Sequence, residues 1–277
     1  MSIVMRFPHG RTKAFTMSYD DGVYQDIRLV DIMNRNGLKG TFNINAGQIS
    51  AADAVKGYER LSSKQIKALY LPNGHEVALH TYSHAMLVDL PIENVTYEYL
   101  KDKEILEEIT GKIIRGAAYP FSQYNDSVLA ALRACGVVYV RGGDETEGFA
   151  LPADWLQIQN TVRHKNPRLM ELAEQFLELA PPPHAPCSLF FLMGHSFEFD
   201  RENNWDLIEA FAEKIGRHND IWYATNIEIF DYINAYRSVR FNLAQTVAEN
   251  PTATDVWINK NGKIHMLAAG KTTLLPG

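Results

Sequence analysis

Lys13-Ala-Phe-Thr-Met-Ser-Tyr-Asp20-Asp21-Gly22 begins as a mainly apolar run and stops on two carboxylates and a glycine. Such a run reads as a buried strand whose polar residues gather at its C-terminal end. The form recurs down the chain. Thr41–Asn45 is a second strand ending in Asn43 and Asn45, and Glu76–Leu79 a third, followed by His80 and His84. Ile113–Tyr119 is a fourth, followed by Pro120 and Phe121, and Val137–Val140 a fifth, ahead of Arg141. Leu189–Met193, ahead of His195, is the sixth and Ile221–Tyr223 the seventh.

Helical stretches lie between these runs. One covers Tyr24–Asn36 and is stopped by Gly37, and another is capped by Ser62 and ends before Pro72. A long one runs from Pro91 to Gly111, with Ile105, Leu106 and Ile109 on an apolar face. Further helices are expected near Asp126–Ala134, Arg168–Leu179 and Trp205–Ile215, and Thr225-Asn-Ile-Glu228 has the form of a capping box for the last. The stretch from Arg141 to Pro167 reads as a long polar connection.

Seven βα repeats predict an α/β fold with parallel strands, right-handed crossovers and a sheet able to close as a barrel. The tail differs. Asp255–Ile258, Asn261-Gly262 and Ile264–Leu267 read as a β-hairpin. Residues 1–240 are therefore expected to form the barrel, and 241–277 a small β appendage packed on the same domain.

Composition narrows the function. The chain has 277 residues, 46% hydrophobic and 22% charged, enough for a large core without disulfide staples. Its two cysteines, Cys135 and Cys187, sit in apolar surroundings as core residues. A net charge of −6 argues against nucleic acid as a partner. No run approaches a membrane span, and the N-terminus lacks the order of a signal peptide. These absences point to a cytoplasmic protein with no membrane partner and a small, soluble substrate.

In a parallel barrel the C-terminal strand ends share one face, where loops build the site. His80-Thr-Tyr-Ser-His84 places two imidazoles at i and i+4. With one carboxylate they make three ligands and an open position, the arrangement of a catalytic zinc site. On their own, the histidines are equally a chance loop pair, and Asp20-Asp21-Gly22 a structural turn.

Together these segments resemble the polysaccharide deacetylases, carbohydrate esterase family 4 with its NodB-homology domain. Thr16-Met-Ser-Tyr-Asp20-Asp21-Gly22 resembles the family's first motif and His80-Thr-Tyr-Ser-His84 its second. Tyr119-Pro120-Phe121 resembles the end of its Arg-x-Pro-Tyr motif. Leu192-Met-Gly-His195 looks like its final Leu-x-His motif, stretched by Gly194. The resemblance spans residues 13 to about 235 and implies a distorted parallel (β/α)7 barrel.

It further implies metal-dependent removal of an acetyl group from an N-acetylated sugar, a linear amide. Asp20 would be the general base, and Asp21, His80 and His84 the ligands of one divalent ion, zinc foremost, with cobalt, nickel or manganese as alternatives. His195 would be the general acid and the backbone N–H of Phe121 an oxyanion donor.

One departure stands out: Ala118 occupies the place of the family's arginine, which holds the base carboxylate. Arg141 is either its replacement or a surface cation. Glu198 and Asp200 either orient His195, touch substrate or are solvated. Trp155 is either a sugar platform or a loop anchor, and His164 reads as a surface residue. Asn45 and Tyr119 complete the candidate substrate contacts. The alternatives are hydrolysis of a non-sugar C–N bond, as in a cyclic ureide, and a non-catalytic carbohydrate-binding relative.

Overall fold

A computed structural model describes residues 3–276. Strand β1 (Ile3–Arg6) precedes β2 (Lys13–Asp20), every residue of which is buried. Burial on both faces is what a central parallel strand requires, and it accounts for the apolar run. Phe15, Met17 and Tyr19 join the main core beside Leu29, Val30 and Met33. Thr16, Ser18 and Asp20 alternate with them and make polar contacts with Asn226, Asn43 and Arg141.

The chain continues through α1 (Asp26–Arg35), β3 (Gly40–Ile44), α2 (Ser63–Tyr70), β4 (Glu76–Leu79), α3 (Ile92–Thr110), β5 (Gly116–Ala118), α4 (Asp126–Ala134) and β6 (Tyr139–Glu145). Ser62 and Gln65 close the capping box of α2, and Gly111, at φ +65°, ends α3 in the left-handed conformation.

The expected polar connection after Arg141 holds two short strands, β7 (Ile158–Asn160) and β8 (Val162–Arg163), separated only by Thr161. Next come α5 (Leu169–Glu178), β9 (Ser188–Gly194), α6 (Phe197–Glu202), α7 (Trp205–Ile215), β10 (Ile221–Tyr223) and α8 (Asn226–Ser238). Strand β7 pairs with β6 and β8 with β9, while β9 pairs with β2. One segment, 158–163, thus bridges the two ends of the sheet and closes the ring. The order β7-β6-β5-β4-β3-β2-β9-β8 is parallel throughout.

The fold is the distorted (β/α)7 barrel, but its strand membership differs from the expectation. Among the described residues β10 pairs only with the first residues of β2, Lys13–Phe15, whereas β3 pairs with Met17–Asp20. Segment 158–163 takes the remaining barrel place.

The tail forms β11 (Arg240–Phe241), β12 (Val247–Glu249), β13 (Val256–Lys260), β14 (Lys263–Leu267) and β15 (Thr272–Leu274). Asn261 and Gly262, both at positive φ, make the hairpin turn between β13 and β14. β1 pairs antiparallel with β13, so the N-terminal strand completes a tail sheet. No helix of the described residues is long and apolar enough to cross a membrane.

Candidate active site

Asp20, the last residue of β2, is only 3% exposed. Its Oδ1 accepts hydrogen bonds from Arg141 Nη2 and, at 2.8 Å, from Asn43 Nδ2. Its Oδ2 lies 3.7 Å from His195 Nε2 and 3.9 Å from His80 Nε2. Burial alone would raise this carboxyl's pKa, but the Arg141 guanidinium, with His80 and His195, outweighs it. Asp20 is held well below the usual carboxylate range.

Arg141 reaches this position through strand register. β5 and β6 pair with Ala118 opposite Arg141, and the arginine is itself buried. The charge that the family pattern puts on one strand comes here from its neighbour.

Asp21 and both loop histidines converge. Asp21 adopts φ +85°, a left-handed turn that parts its side chain from that of Asp20. His80 Nδ1 lies 3.0 Å from the Ala118 carbonyl. Donation there fixes the tautomer and leaves the Nε2 lone pair free. Burial lowers the His80 pKa, against the pull of Asp20 and Asp21, so the ring stays neutral. One ligand atom from each of Asp21, His80 and His84 lies within 4.8 Å of the others.

Among the described residues no other trio of such side chains converges this way. Asp21 Oδ1 is 3.0 Å from Arg60 Nη1 yet accepts no hydrogen bond from a described residue. A buried carboxylate oxygen without a hydrogen bond beside a neutral imidazole suits a divalent cation, and the N2O donor set fits one.

The site is rich in left-handed backbone at residues other than glycine: Asp21, Thr81, His84, Phe121 and Ser122. Each costs on the order of 1–2 kcal/mol, so surrounding contacts must hold them. Asn45, buried, donates from Nδ2 to the carbonyls of His80 and Thr81. Helix α3 adds two carboxyl side chains: Asp102 accepts from the backbone N–H of Ala46 and His80, and Glu98 from Ser83.

His195 follows β9, with Nδ1 3.6 Å from Glu198 Oε2. That oxygen is also 3.1 Å from His164 Nε2, while Lys165 Nζ is 2.7 Å from Oε1. Burial would raise the Glu198 pKa, but His164, His195 and Lys165 reverse it and keep the carboxyl ionised. Burial likewise opposes protonation of His195, yet Glu198 and Asp20 raise its pKa. The result is an imidazole biased toward the protonated form, with one ring nitrogen toward Asp20 and the other toward Glu198.

His164 is not on the surface. It is buried, stacks on Tyr19 and contacts the Tyr19 hydroxyl through Nδ1 at 3.2 Å. A Cβ added at Gly194 would stand 2.0 Å from His164 Nδ1, which is why glycine fills the stretched motif.

The other candidates divide. Trp155 is buried edge-on against Phe230 in the second core cluster, which makes it a loop anchor rather than a sugar platform. Tyr119 is buried, bonded to the Leu156 carbonyl and stacked on Tyr124, and Asn45 is spent on the histidine loop. Neither is free to contact substrate, and Glu198 supports His195 instead. Asp200 braces α6 against Gln25 and Trp205.

Phe121 is 54% exposed, its ring 4.6 Å from that of His84. Beside Asp21 opens a cleft of ≈ 420 Å³ lined by Val23, Tyr58, Arg60, Phe197 and Arg201. Tyr58 and Phe197 meet edge to face there, 5.5 Å apart. Their loops carried no motif to mark them.

The fold and the site together define an α/β barrel in which Asp21, His80 and His84 converge beside the Asp20–His195 carboxylate–imidazole pair. Residues 8–140 match the family model described as polysaccharide deacetylase. It is 26% identical over 149 residues to a chitin deacetylase from Pestalotiopsis sp, covering 53% of this chain and 47% of that one. The chain spans less than half the length of the curated relatives it matches.

A polysaccharide deacetylase structure from Mycobacterium smegmatis aligns with a TM-score of 0.62 at 17% identity, over 85% of this chain and 95% of that one. A carbohydrate esterase family 4 pseudoenzyme from Bacillus anthracis aligns with a TM-score of 0.51 at 14% identity, over 82% and 68%. At such identities the structures bear on the fold alone.

Proposed function

We propose that the protein is a metal-dependent hydrolase that removes the acetyl group from an N-acetylated amino sugar or oligosaccharide. The observation that carries this reading is the division of labour on Asp20. One oxygen is bound by Arg141 and Asn43, and the other is left toward His80 and His195. A carboxylate fixed on one side and free on the other, beside a cation site, suits a general base.

Asp21, His80 and His84 would hold the ion, zinc by preference for an N2O set. A divalent ion bound there lowers the pKa of water and polarises an amide carbonyl. Asp20 Oδ2 takes the proton from the attacking water, with Arg141 keeping the carboxylate ionised and oriented. The Phe121 backbone N–H meets the negative charge developing on the carbonyl oxygen. His195 Nε2 delivers a proton to the departing nitrogen, steadied through Nδ1 by Glu198.

Phe121, Tyr58 and Phe197 offer the apolar faces against which sugar C–H groups pack. The named activity of the chitin deacetylase relative supports the substrate class. The non-catalytic alternative drew on the alanine at 118, and the Arg141–Asp20 contact removes that support. Acetate release from N-acetylglucosamine oligomers, measured against ring opening of a cyclic ureide, tests the reading. Ureide opening without acetate release overturns the substrate class.

A further inference from the structure

Helix α3 presents Val95, Glu98, Tyr99, Asp102 and Leu106 on its buried stripe. Three of the five belong to the core. The two acids break the apolar pattern in the place where burial of a carboxyl is least favourable. Among the described residues neither is paired with a cation. Asp102 Oδ1 accepts from the backbone N–H of Ala46 at 2.7 Å and Oδ2 from that of His80 at 3.0 Å. Glu98 Oε2 accepts from the Ser83 N–H at 2.8 Å and Oε1 from the Ser83 hydroxyl at 2.7 Å, while its own carbonyl accepts from Tyr82 N–H at 3.1 Å.

Every one of those partners lies in the His80–His84 loop or in the adjoining Ala46 turn. The loop cannot reach this shape by local preference, because Thr81 and His84 are both left-handed at φ +64° and +60°. Its conformation is held from outside the loop, by Asn45 and the Ile44 carbonyl on one side and by the two acids of α3 on the other. The loop spaces the two imidazoles that, with Asp21, bring ligand atoms within 4.8 Å of each other.

We propose that Glu98 and Asp102 are positioning residues of the cation site, holding the backbone of the histidine loop so that His80 and His84 present their nitrogens to one ion. The inference rests on the reading of Asp21, His80 and His84 as metal ligands. It adds that ion affinity is set from a helix that supplies no ligand. Groups behind a ligand commonly govern affinity in this way.

The test is zinc affinity by competition with a chromophoric chelator for the wild type, Glu98→Gln and Asp102→Asn, beside the melting temperature of each apoprotein. The expected result is a zinc Kd raised about 10–100-fold in Glu98→Gln, with an apoprotein melting temperature close to wild type. Acetate release by that variant then recovers as free zinc is raised above the new Kd, which a misfolded active site does not allow. Asp102→Asn is expected to be more severe, and where it fails to fold, Glu98→Gln alone decides. An unchanged zinc Kd in Glu98→Gln overturns the proposal. Wild-type protein that binds no zinc overturns the site reading, and this inference with it. Zinc-loaded wild type without acetate release overturns the deacetylase reading and leaves the positioning role to be decided by the Kd values.

Discussion

Ala118 and Arg141 face each other across adjacent strands, and the Arg141 guanidinium donates to the Asp20 carboxylate. Strand register thus moves a charge sideways by one strand while keeping its target. A planar guanidinium in a buried setting orients the carboxylate, where an ammonium supplies only a point charge. Arg141→Lys is therefore expected to lower kcat by roughly 10²-fold, the scale of a misaligned reacting group, with metal content unchanged. Kinetics paired with elemental analysis check it. Full activity in Arg141→Lys would show that orientation of Asp20 is not limiting.

His195 is the proton donor in this account, and its loss separates chemistry from metal binding. His195→Ala should reduce turnover by about 10²–10⁴-fold while the ion stays bound. Metal loss on the same substitution would make His195 a ligand and require a different mechanism.

The pairing of His195 with Glu198 has a pH signature. The pKa of His195 is raised, so its proton-donating form persists to higher pH and activity declines as pH rises through that value. Glu198→Gln removes an anion that favours the imidazolium. The alkaline limb of the pH–rate profile should then move to lower pH, with metal affinity unaltered. A limb that stays in place would assign the titration to another group.

Gly194 and His164 share one space. Gly194→Ala is expected to cost about 1–3 kcal/mol by overpacking, read as a lower denaturant midpoint. In a His164→Ala background the same change should cost much less, since the obstructing ring is gone. Additive costs in that double-mutant cycle would mean that the clash is relieved elsewhere.

Much of this was legible from residue order. Strand ends carrying Asp20, His80 and His195 stood out because a buried parallel strand has few reasons to finish on polar groups. Segment 158–163 was not legible: Gln157-Ile-Gln-Asn-Thr-Val-Arg163 alternates weakly, and its strands are three and two residues long. β1 carries no local signal of its own, because its partner, β13, lies at the other end of the chain.

Within the site, His164 looked like a loop residue because the packing that buries it comes from Tyr19 and Phe199, which are distant in sequence. Glu98 and Asp102 did leave a signal. Both fall on the apolar stripe of a long helix, and a buried acid needs donors to match it.

The central claim is a cation-dependent hydrolysis of a sugar acetamide. The most direct measurement is acetate release from N-acetylglucosamine oligosaccharides by zinc-loaded protein, by the chelator-stripped protein and by the stripped protein with zinc restored. The account predicts acetate from the loaded protein, none above background after stripping, and recovery with zinc. Zinc-loaded protein with about one ion per chain and no acetate release would contradict it.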